Sequence, residues 1–492
     1  MKLCEIIYEY ETDAEKDTLE LEINNLSANA EKIGEKTLFF LLKSIKTLSQ
    51  NIINTIESNA SVIIVTQKEF WEENAPGNVL YVKNVRKTMA YAYSRFHGID
   101  FGKTKFIAIT GTNGKTTTAT LIKEILLKEG ERVGFIGTGR IEINGKALNE
   151  EFYSMTTPDP DILYPKIAEM QKAGCKYIVM EASSHALYFD KLAPIPFEIG
   201  IFTNLSPEHL DFHRSIDEYY KAKLKLFSQC KKGVFNCDDK YSRRAAAELS
   251  CECYSIGILW PGDVMAREIK QCGFLGTEYI YKEKSLIFKV KTKLVGAYNI
   301  YNTMLAIKAL LLLGFKACRV KERLNEISSI DGRFEVRFGI VTVIRDYAHT
   351  PGAFENLLKT VKSLKNSRQN MIIVFGCGGE RDKAKRPCMA KLAEKYCDAS
   401  IITNDNPRGE DEGEIINDIL KGFSDTNRCE VITDRKKAIE NAIFKASKND
   451  IVVIAGKGAE NYIIDKNGYR AFSEKDIIEK ALEKREKRET EK

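Results

Sequence analysis

The stretch KFIAITGTNGKTTTATLIKEILLKEG, residues 105 to 130, joins an apolar strand to an amphipathic helix through a glycine-rich turn. Phe106 to Ile109 is the kind of short apolar run a buried strand carries, and Ala119, Ile122, Ile125 and Leu126 recur at helical spacing up to a stop at Gly130. Between them, Gly111 and Gly114 allow backbone N–H groups to turn inward toward an anion, with the positive end of the new helix facing the same point. Lys115 would neutralise β- and γ-phosphate charge, and the Thr116 hydroxyl would hold Mg²⁺. The strict pattern G-x-x-x-x-G-K-[ST] asks for glycine where this chain has Ile109, so the turn is a GTNGKT variant. The strand before it and the helix after it point to nucleoside triphosphate binding.

Working outward, 492 residues should hold about three domains with full-sized cores. We expect an α/β chain of three domains: a small α/β domain over residues 1–100, a central P-loop domain over 101–335, and a doubly wound parallel-sheet domain over 336–492. Apolar content of 43% and charged content of 29% are those of a soluble globular protein. The net charge of +6 is spread along the chain except at the Lys/Glu-rich end, which reads as a solvated helix, so a nucleic-acid role is not supported. The beginning, MKLCEIIYEYETDAEKD, has acids where a signal peptide needs an apolar core, and no stretch approaches eighteen apolar residues. The expected location is the cytoplasm, without membrane insertion. Twelve cysteines include no CxxC pair, which argues against both a zinc ribbon and a disulfide framework.

In the last third, strands at 341–345, 371–375, 400–403, 430–433 and 451–455 alternate with helical stretches, the pattern of a parallel doubly wound sheet. Ligands of such sheets sit beyond the carboxyl ends of the strands, where this chain carries DYAHTPG, GCGGERDK, TNDNPRGED and AGKGAEN. In the middle third, Val179 and Met180 end a strand followed by Glu181, Ser183, Ser184 and His185. A second strand, 199–203, is followed by Asn204, Glu208, His209, Asp211 and His213. If that sheet is parallel, both clusters open on the edge that bears the phosphate loop, where a carboxylate and an imidazole could hold a divalent ion.

These clusters, in this order, resemble the Mur ligase family, and within it the branch that adds the third peptide residue in peptidoglycan assembly. The similarity runs from about 106 to 465 and rests on GTNGKTTT (111–118), TTPDP (156–160), MEASSHAL (180–187), FTNLSPEHLDFH (202–213), AKLKLF (222–227), NIYN (299–302), DGRFE (331–335), DYAHTPGA (346–353), GCGGERDKAKRP (376–387), DNPRGE (405–410) and AGKGAEN (455–461). The resemblance implies an ATP-dependent ligase, with Mg²⁺, that activates the carboxylate of a UDP-N-acetylmuramoyl dipeptide as an acyl phosphate and joins it to a diamino diacid. It implies ATP contacts at Gly111, Thr112, Asn113, Gly114, Lys115, Thr116, Thr117, Asn299, Asn302, Arg333, Asp346 and His349. Thr116, Glu181 and His209 are implied metal ligands, and Lys115, Lys223 and His209 take catalytic parts, Lys223 as a carbamylated lysine whose captured CO₂ makes it an anion. On the sugar-nucleotide side it implies Ser27, Thr156, Thr157, Ser183 and Lys191. Arg381, Asp405, Asn406, Arg408, Gly456 and Glu460 would form the amino-acid pocket, in which guanidiniums suit carboxylates and Asp405 and Glu460 suit an ammonium.

The chain also departs from the family's pattern. Leu26-Ser27-Ala28 stands where an Asp-Ser-Arg signature is usual, Phe189 and Lys191 where relatives carry Gln and Arg, and Ala459 where a histidine is usual. A lysine replaces the charge of an arginine but not its bidentate fork. DNPR is the variant associated with meso-diaminopimelate; meso-lanthionine presents the same ends. Alternatives are a Mur-type ligase with another carboxylate substrate and a nucleotide-binding relative without turnover. A phosphotransferase would leave the Arg381, Asp405, Arg408 and Glu460 cluster without a purpose.

Overall fold

The structure, a computed structural model, describes residues 1–7, 19–43, 53–54, 61–71, 78–148 and 155–490. Most of the acid-rich opening stretch, and the last two residues of the charged tail, lie outside the described residues.

Three sheets follow one another along the chain. The first contains β1 (Asn25–Ser27), β2 (Thr37–Phe40), β3 (Ile63–Thr66) and β4 (Val79–Tyr81), parallel and in sequential order. The helix Val85–Phe96 that follows packs Met89 and Tyr93 into an apolar cluster shared with Leu163, Tyr164 and Ile167 of the helix Pro160–Lys172. The first two sheets are thus joined through a continuous core.

The second sheet has eleven strands. In chain order they are β5 (Lys105–Thr110), β6 (Val133–Gly137), β7 (Arg140–Ile143), β8 (Lys146–Ala147), β9 (Tyr177–Glu181), β10 (Phe197–Phe202), β11 (Cys230–Asn236), β12 (Glu252–Gly257), β13 (Val264–Gln271), β14 (Thr277–Glu283) and β15 (Leu286–Thr292). Their spatial order is β15-β14-β13-β12-β11-β10-β5-β9-β6-β7-β8. The strands from β6 to β12 pair in parallel, so β5, β9 and β10 end on one edge, as the polar clusters after 180 and 203 require. Apart from Lys105, every residue of β5 is buried, because helices cover both faces of a parallel sheet and leave no place for alternation. The antiparallel wing β13–β15 is not among the strands expected from sequence. There Thr277, Tyr279 and Tyr281 are buried while the residues between them are not, a period-two pattern diluted by charge.

The third sheet, in the order β16-β17-β21-β18-β19-β20, contains β16 (Glu335–Arg337), β17 (Thr342–Asp346), β18 (Met371–Phe375), β19 (Ala399–Ile402), β20 (Cys429–Val431) and β21 (Ile451–Ala455). All five expected strands occur within two residues of their expected limits. The sheet is not wholly parallel, because β16, which DGRFE leads into, joins its edge antiparallel to β17 through a short turn at residues 338–341. A hairpin, β22 (Tyr462–Asp465) with β23 (Gly468–Ala471), follows. All twelve cysteines are free thiols. Among the described residues, no helix is long and apolar enough to cross a membrane.

Candidate active site

The carboxyl ends of β5, β9 and β10 face those of β17, β18, β19 and β21 across a cleft of about 680 Å³. On one wall the phosphate loop is held by its neighbours. Gly111 (φ 140°) and Gly114 (φ 85°) both need glycine: a Cβ would lie 2.0 Å from Thr203 Oγ1 at the first and 2.5 Å from Asn302 Oδ1 at the second. Thr112 N donates to Asn204 O (2.9 Å) and Asn113 N to Asn204 Oδ1 (3.0 Å), while Thr203 Oγ1 donates back to Asn113 O (2.6 Å). The helix Lys115–Lys128 starts at Gly114 with no side-chain cap, which leaves its first N–H groups for an anion. Lys115 Nζ rests on Gly111 O (2.9 Å) and Thr112 O (2.8 Å), aimed along the loop. Burial lowers its pKa against the pull of Glu208 and Glu181.

Glu181, at the end of β9, is fully buried. Its Oε2 accepts from Thr116 Oγ1 (2.9 Å) and its Oε1 from Thr138 N (3.0 Å). Thr138 Oγ1 lies 3.1 Å from Thr156 Oγ1, which brings Thr156 to the same wall. Thr116 Oγ1 also accepts from Arg333 Nη2 (2.8 Å), a contact that joins the second and third sheets across the cleft. His209, in left-handed backbone, opens onto the cleft with its ring 5.1 Å from that of His185. Its pKa falls chiefly because the surrounding protein strips its hydration, and its basic neighbours His185, Lys115 and Lys223 lower it further, an effect Glu208 only partly opposes. A hydroxyl and a carboxylate oxygen with one imidazole suit Mg²⁺, which keeps water and phosphate in most of its shell; among the described residues no three His, Cys, Asp or Glu side chains converge without it.

Lys223 is not the surface helix residue its sequence context suggests. It is 1% exposed, its Nζ donates to Gly111 O (2.9 Å) and sits 4.4 Å over the Tyr219 ring, and among the described residues no carboxylate pairs with it. Burial, and then Lys115, push its pKa well below the ordinary lysine value.

Asn299 and Asn302 are buried on the helix Ala297–Leu312, joined by Asn302 Nδ2 donating to Asn299 Oδ1 (2.9 Å). Asn302 fills the space a Cβ at Gly114 would need. Arg333 stacks 4.3 Å over Tyr347. Asp346 accepts from Phe334 N and Ala348 N, both at 2.7 Å, and burial raises its pKa. Thr117 and His349 line the same cleft.

On the opposite wall, Arg381, Asp405, Asn406, Arg408, Gly456 and Glu460 come together as the motifs require. A buried lysine that sequence reasoning did not assign already stands among them. Lys457 Nζ donates to Asn406 Oδ1 (2.9 Å), Glu460 Oε2 (3.2 Å) and Asp405 Oδ1 (3.4 Å). Burial pushes the Asp405 carboxyl up, but Lys457 and Arg435 outweigh it and hold the group below its usual value. Arg435, also unassigned, is fully buried: it pairs with Glu474 (2.7 Å) and donates to Asn404 O (3.1 Å) and Ala455 O (2.8 Å), the carbonyls just before Asp405 and Gly456. Arg408 Nη1 donates to two carbonyls, Gly379 O (2.9 Å) and Asn406 O (3.2 Å), and among the described residues no carboxylate pairs with it.

Six expected residues lie outside the lining of this cleft; two of them, Gly111 and Lys223, are bonded to each other behind the phosphate loop. Thr157 Oγ1 donates to Glu181 O (2.8 Å), Ser183 caps the helix Ser184–Tyr188 through Ala186 N (3.2 Å), Ser27 Oγ donates to Asn29 O (2.7 Å), and Lys191 Nζ pairs with Asp159 (2.6 Å). The cleft also gains Glu208, 3.6 Å from the His349 ring nitrogen Nε2, whose pKa falls to about 2: burial raises it, but His349, His209 and Lys115 together pull it further down. Glu208 was visible in SPEHLDFH, though nothing in the spacing ranked it above its neighbours.

The chain matches the Mur ligase middle domain over residues 109–310 and the Mur ligase glutamate ligase domain over residues 332–458. It is 38% identical to UDP-N-acetylmuramoyl-L-alanyl-D-glutamate–2,6-diaminopimelate ligase 1 of Clostridium acetobutylicum, over 97% of this chain and 98% of that one. It is 35% identical to the similarly named Clostridium tetani ligase, over 98% and 99%. A solved structure of a ligase of that name superposes with a TM-score of 0.68 at 27% identity, covering 99% of both chains. Similarity over nearly the full length of both chains, on top of a cleft assembled from the family's own motifs, places this chain in the Mur ligase family.

Proposed function

We propose that this chain is an ATP-dependent amide ligase of the cytoplasm that adds a diamino diacid, meso-2,6-diaminopimelate, to UDP-N-acetylmuramoyl-L-alanyl-D-glutamate in peptidoglycan synthesis, with domains at 1–100, 101–335 and 336–492. One observation carries the reading: the cleft joins a phosphate cradle to a pocket that holds more carboxylates than its buried ammonium pairs and carries guanidinium groups besides. Asp405 and Glu460 supply two negative charges against the single ammonium of Lys457, and the guanidinium of Arg408 has no carboxylate partner among the described residues. That pocket complements a zwitterionic amino-acid end, ammonium toward the carboxylates and carboxylate toward the fork.

In the reaction, an oxygen of the substrate carboxylate attacks the γ-phosphorus of ATP and the bond to the β-phosphate oxygen breaks, releasing ADP. The free amine of the diamino diacid then attacks the acyl carbon, inorganic phosphate leaves, and the nitrogen loses a proton. Carboxylate and triphosphate repel each other, so the first step needs concentrated positive charge, which Lys115 and the open start of the helix Lys115–Lys128 supply. Thr116, Glu181 and His209 would hold Mg²⁺, which when bound neutralises phosphate charge. Burial shifts Lys223 toward the neutral amine, the form able to capture CO₂, and this supports Lys223 as a carbamylated residue. Thr156 stands beside Thr138 at the carboxylate end; Thr157, Ser183, Ser27 and Lys191 are assigned to the sugar-nucleotide side.

The test is ADP release with ATP, Mg²⁺ and UDP-N-acetylmuramoyl-L-alanyl-D-glutamate, adding meso-diaminopimelate, meso-lanthionine or L-lysine in turn. Stimulation by one diamino diacid with a tripeptide-nucleotide product supports the reading. ATP binding without turnover on any of them favours a ligase for another carboxylate, the alternative that Leu26-Ser27-Ala28 motivates, since Ser27 Oγ is engaged within its own turn.

A further inference from the structure

The seam between the first and second sheets holds a guanidinium that the chemistry above leaves unused. Arg86 lies at the carboxyl-terminal edge of the first parallel sheet, just after β4, where ligands of such sheets sit. It is half-buried, its guanidinium lies 4.4 Å over the ring of Phe189, and among the described residues no hydrogen bond or ion pair uses its donors. Its neighbours are already engaged. Lys191 is bonded to Asp159 at 2.6 Å, and Asp190 accepts from Asn84 Nδ2 and Lys225 Nζ, each at 2.9 Å. Asp159 attracts Arg86 through space but bonds Lys191, so Arg86 is the seam cation with no bonded carboxylate among the described residues, and the Phe189 face fixes the plane of its fork.

An aromatic row connects this point to the phosphate loop. The His209 ring is 5.1 Å from His185, His185 is 4.2 Å from Phe212, Phe212 is 5.6 Å from Phe189, and Arg86 covers Phe189. A substrate whose reacting carboxylate stands at the loop and whose body follows the row ends at Arg86. We propose that Arg86, oriented by Phe189, is a specificity-determining residue that grips an oxyanion of the sugar-nucleotide dipeptide. This rests on the carboxylate substrate assigned above. Two groups of that substrate share the chemistry, the diphosphate and the second carboxylate of its glutamate, and a planar fork takes either in bidentate fashion.

The experiment uses the full chain and the variants Arg86→Ala and Arg86→Lys. Steady-state kinetics should raise the KM for UDP-N-acetylmuramoyl-L-alanyl-D-glutamate at least tenfold in Arg86→Ala, with the KM values for ATP and diaminopimelate within twofold of wild type and Tm unchanged; Arg86→Lys should recover only part. Calorimetry with UDP and with the nucleotide dipeptide, in the presence of a non-hydrolysable ATP analogue, separates the sources. Equal weakening of both ligands assigns the diphosphate, and weakening of the dipeptide ligand alone assigns the carboxylate. An unchanged KM for the nucleotide dipeptide, or three KM values rising together with a fall in Tm, overturns the proposal. Dipeptide binding that depends on Arg86 but leads to no turnover sinks the assigned reaction and keeps Arg86. Failure of the wild type to bind the dipeptide overturns both.

Discussion

Replacing Arg408 with alanine tests the charge complementarity of the amine pocket most directly. The residue sits in left-handed backbone (φ 55°), a conformation alanine tolerates no better, so the substitution changes the side chain without relieving the turn. One nitrogen of the guanidinium is anchored on Gly379 O and Asn406 O, which fixes the fork and leaves its other donors for a ligand. Losing a hydrogen bond to a charged group costs about 1.5–3 kcal/mol. For a carboxylate that would otherwise be bound here, this converts to roughly a 10–150-fold loss of kcat/KM for a diamino diacid. Arg408 makes no hydrogen bond to the phosphate loop, so the KM for ATP should stay within about twofold, the level expected for distant, independent sites. The assay is ADP release against varied meso-diaminopimelate and, separately, L-lysine, which lacks the distal carboxylate. The variant should lose its preference between the two amines. Equal losses toward ATP and amine, or an undiminished preference, would refute the role of Arg408 as the distal-carboxylate fork and leave it a structural anchor.

Further tests address the phosphate side. Lys115→Ala should reduce single-turnover ADP formation by about 10²–10³-fold or more, as removal of one preorganised charge donor does, and near-normal rates would dismiss the phosphate-loop assignment. Gly114→Ala should weaken ATP binding because its Cβ meets Asn302 Oδ1 at 2.5 Å; Gly130→Ala, with the same φ of 85° but open space around it, should lower Tm by backbone strain alone and spare the KM for ATP. Lys223→Met should be inactive, whereas wild type dialysed free of CO₂ should lose activity and regain it with bicarbonate; indifference to bicarbonate would count against carbamylation. Because burial depresses the Lys223 pKa, the unfolded chain binds the extra proton below its own value of 10.5, which penalises the uncarbamylated folded state at neutral pH. Chemical denaturation of CO₂-free protein should therefore find Lys223→Met more stable than wild type near pH 7, with the advantage fading as pH rises toward 10.5.

Legibility followed the range of the interactions. The phosphate loop was readable because glycine conformation, strand and helix are all encoded within 26 residues. The parallel strands of the last third were readable because burial on both faces writes itself as an unbroken apolar run. The antiparallel wing β13–β15 was not, because one of its faces carries charge and its alternation over seven or eight residues is faint. Within the site, the motif residues at strand ends converged as expected, but their electrostatic partners could not be ranked from spacing. Lys457 belongs to AGKGAEN and Glu208 to SPEHLDFH, and only their placement against Asp405 and His349 distinguishes them from neighbouring charges.

By itself, then, the sequence determined the glycine-rich turn between strand and helix and the parallel sheets that present their carboxyl edges, since each depends on local backbone preference or apolar periodicity, while the residues of the amine pocket came from the family resemblance. Only the tertiary structure decided that Lys223 is buried against Gly111, that the Arg435–Glu474 pair braces the turns before Asp405 and Gly456, and that Arg86 meets Phe189 across a seam more than a hundred residues wide in sequence. Desolvation and charge pairing act through space, so the protonation state and purpose of these side chains are set by neighbours that no window of the chain contains.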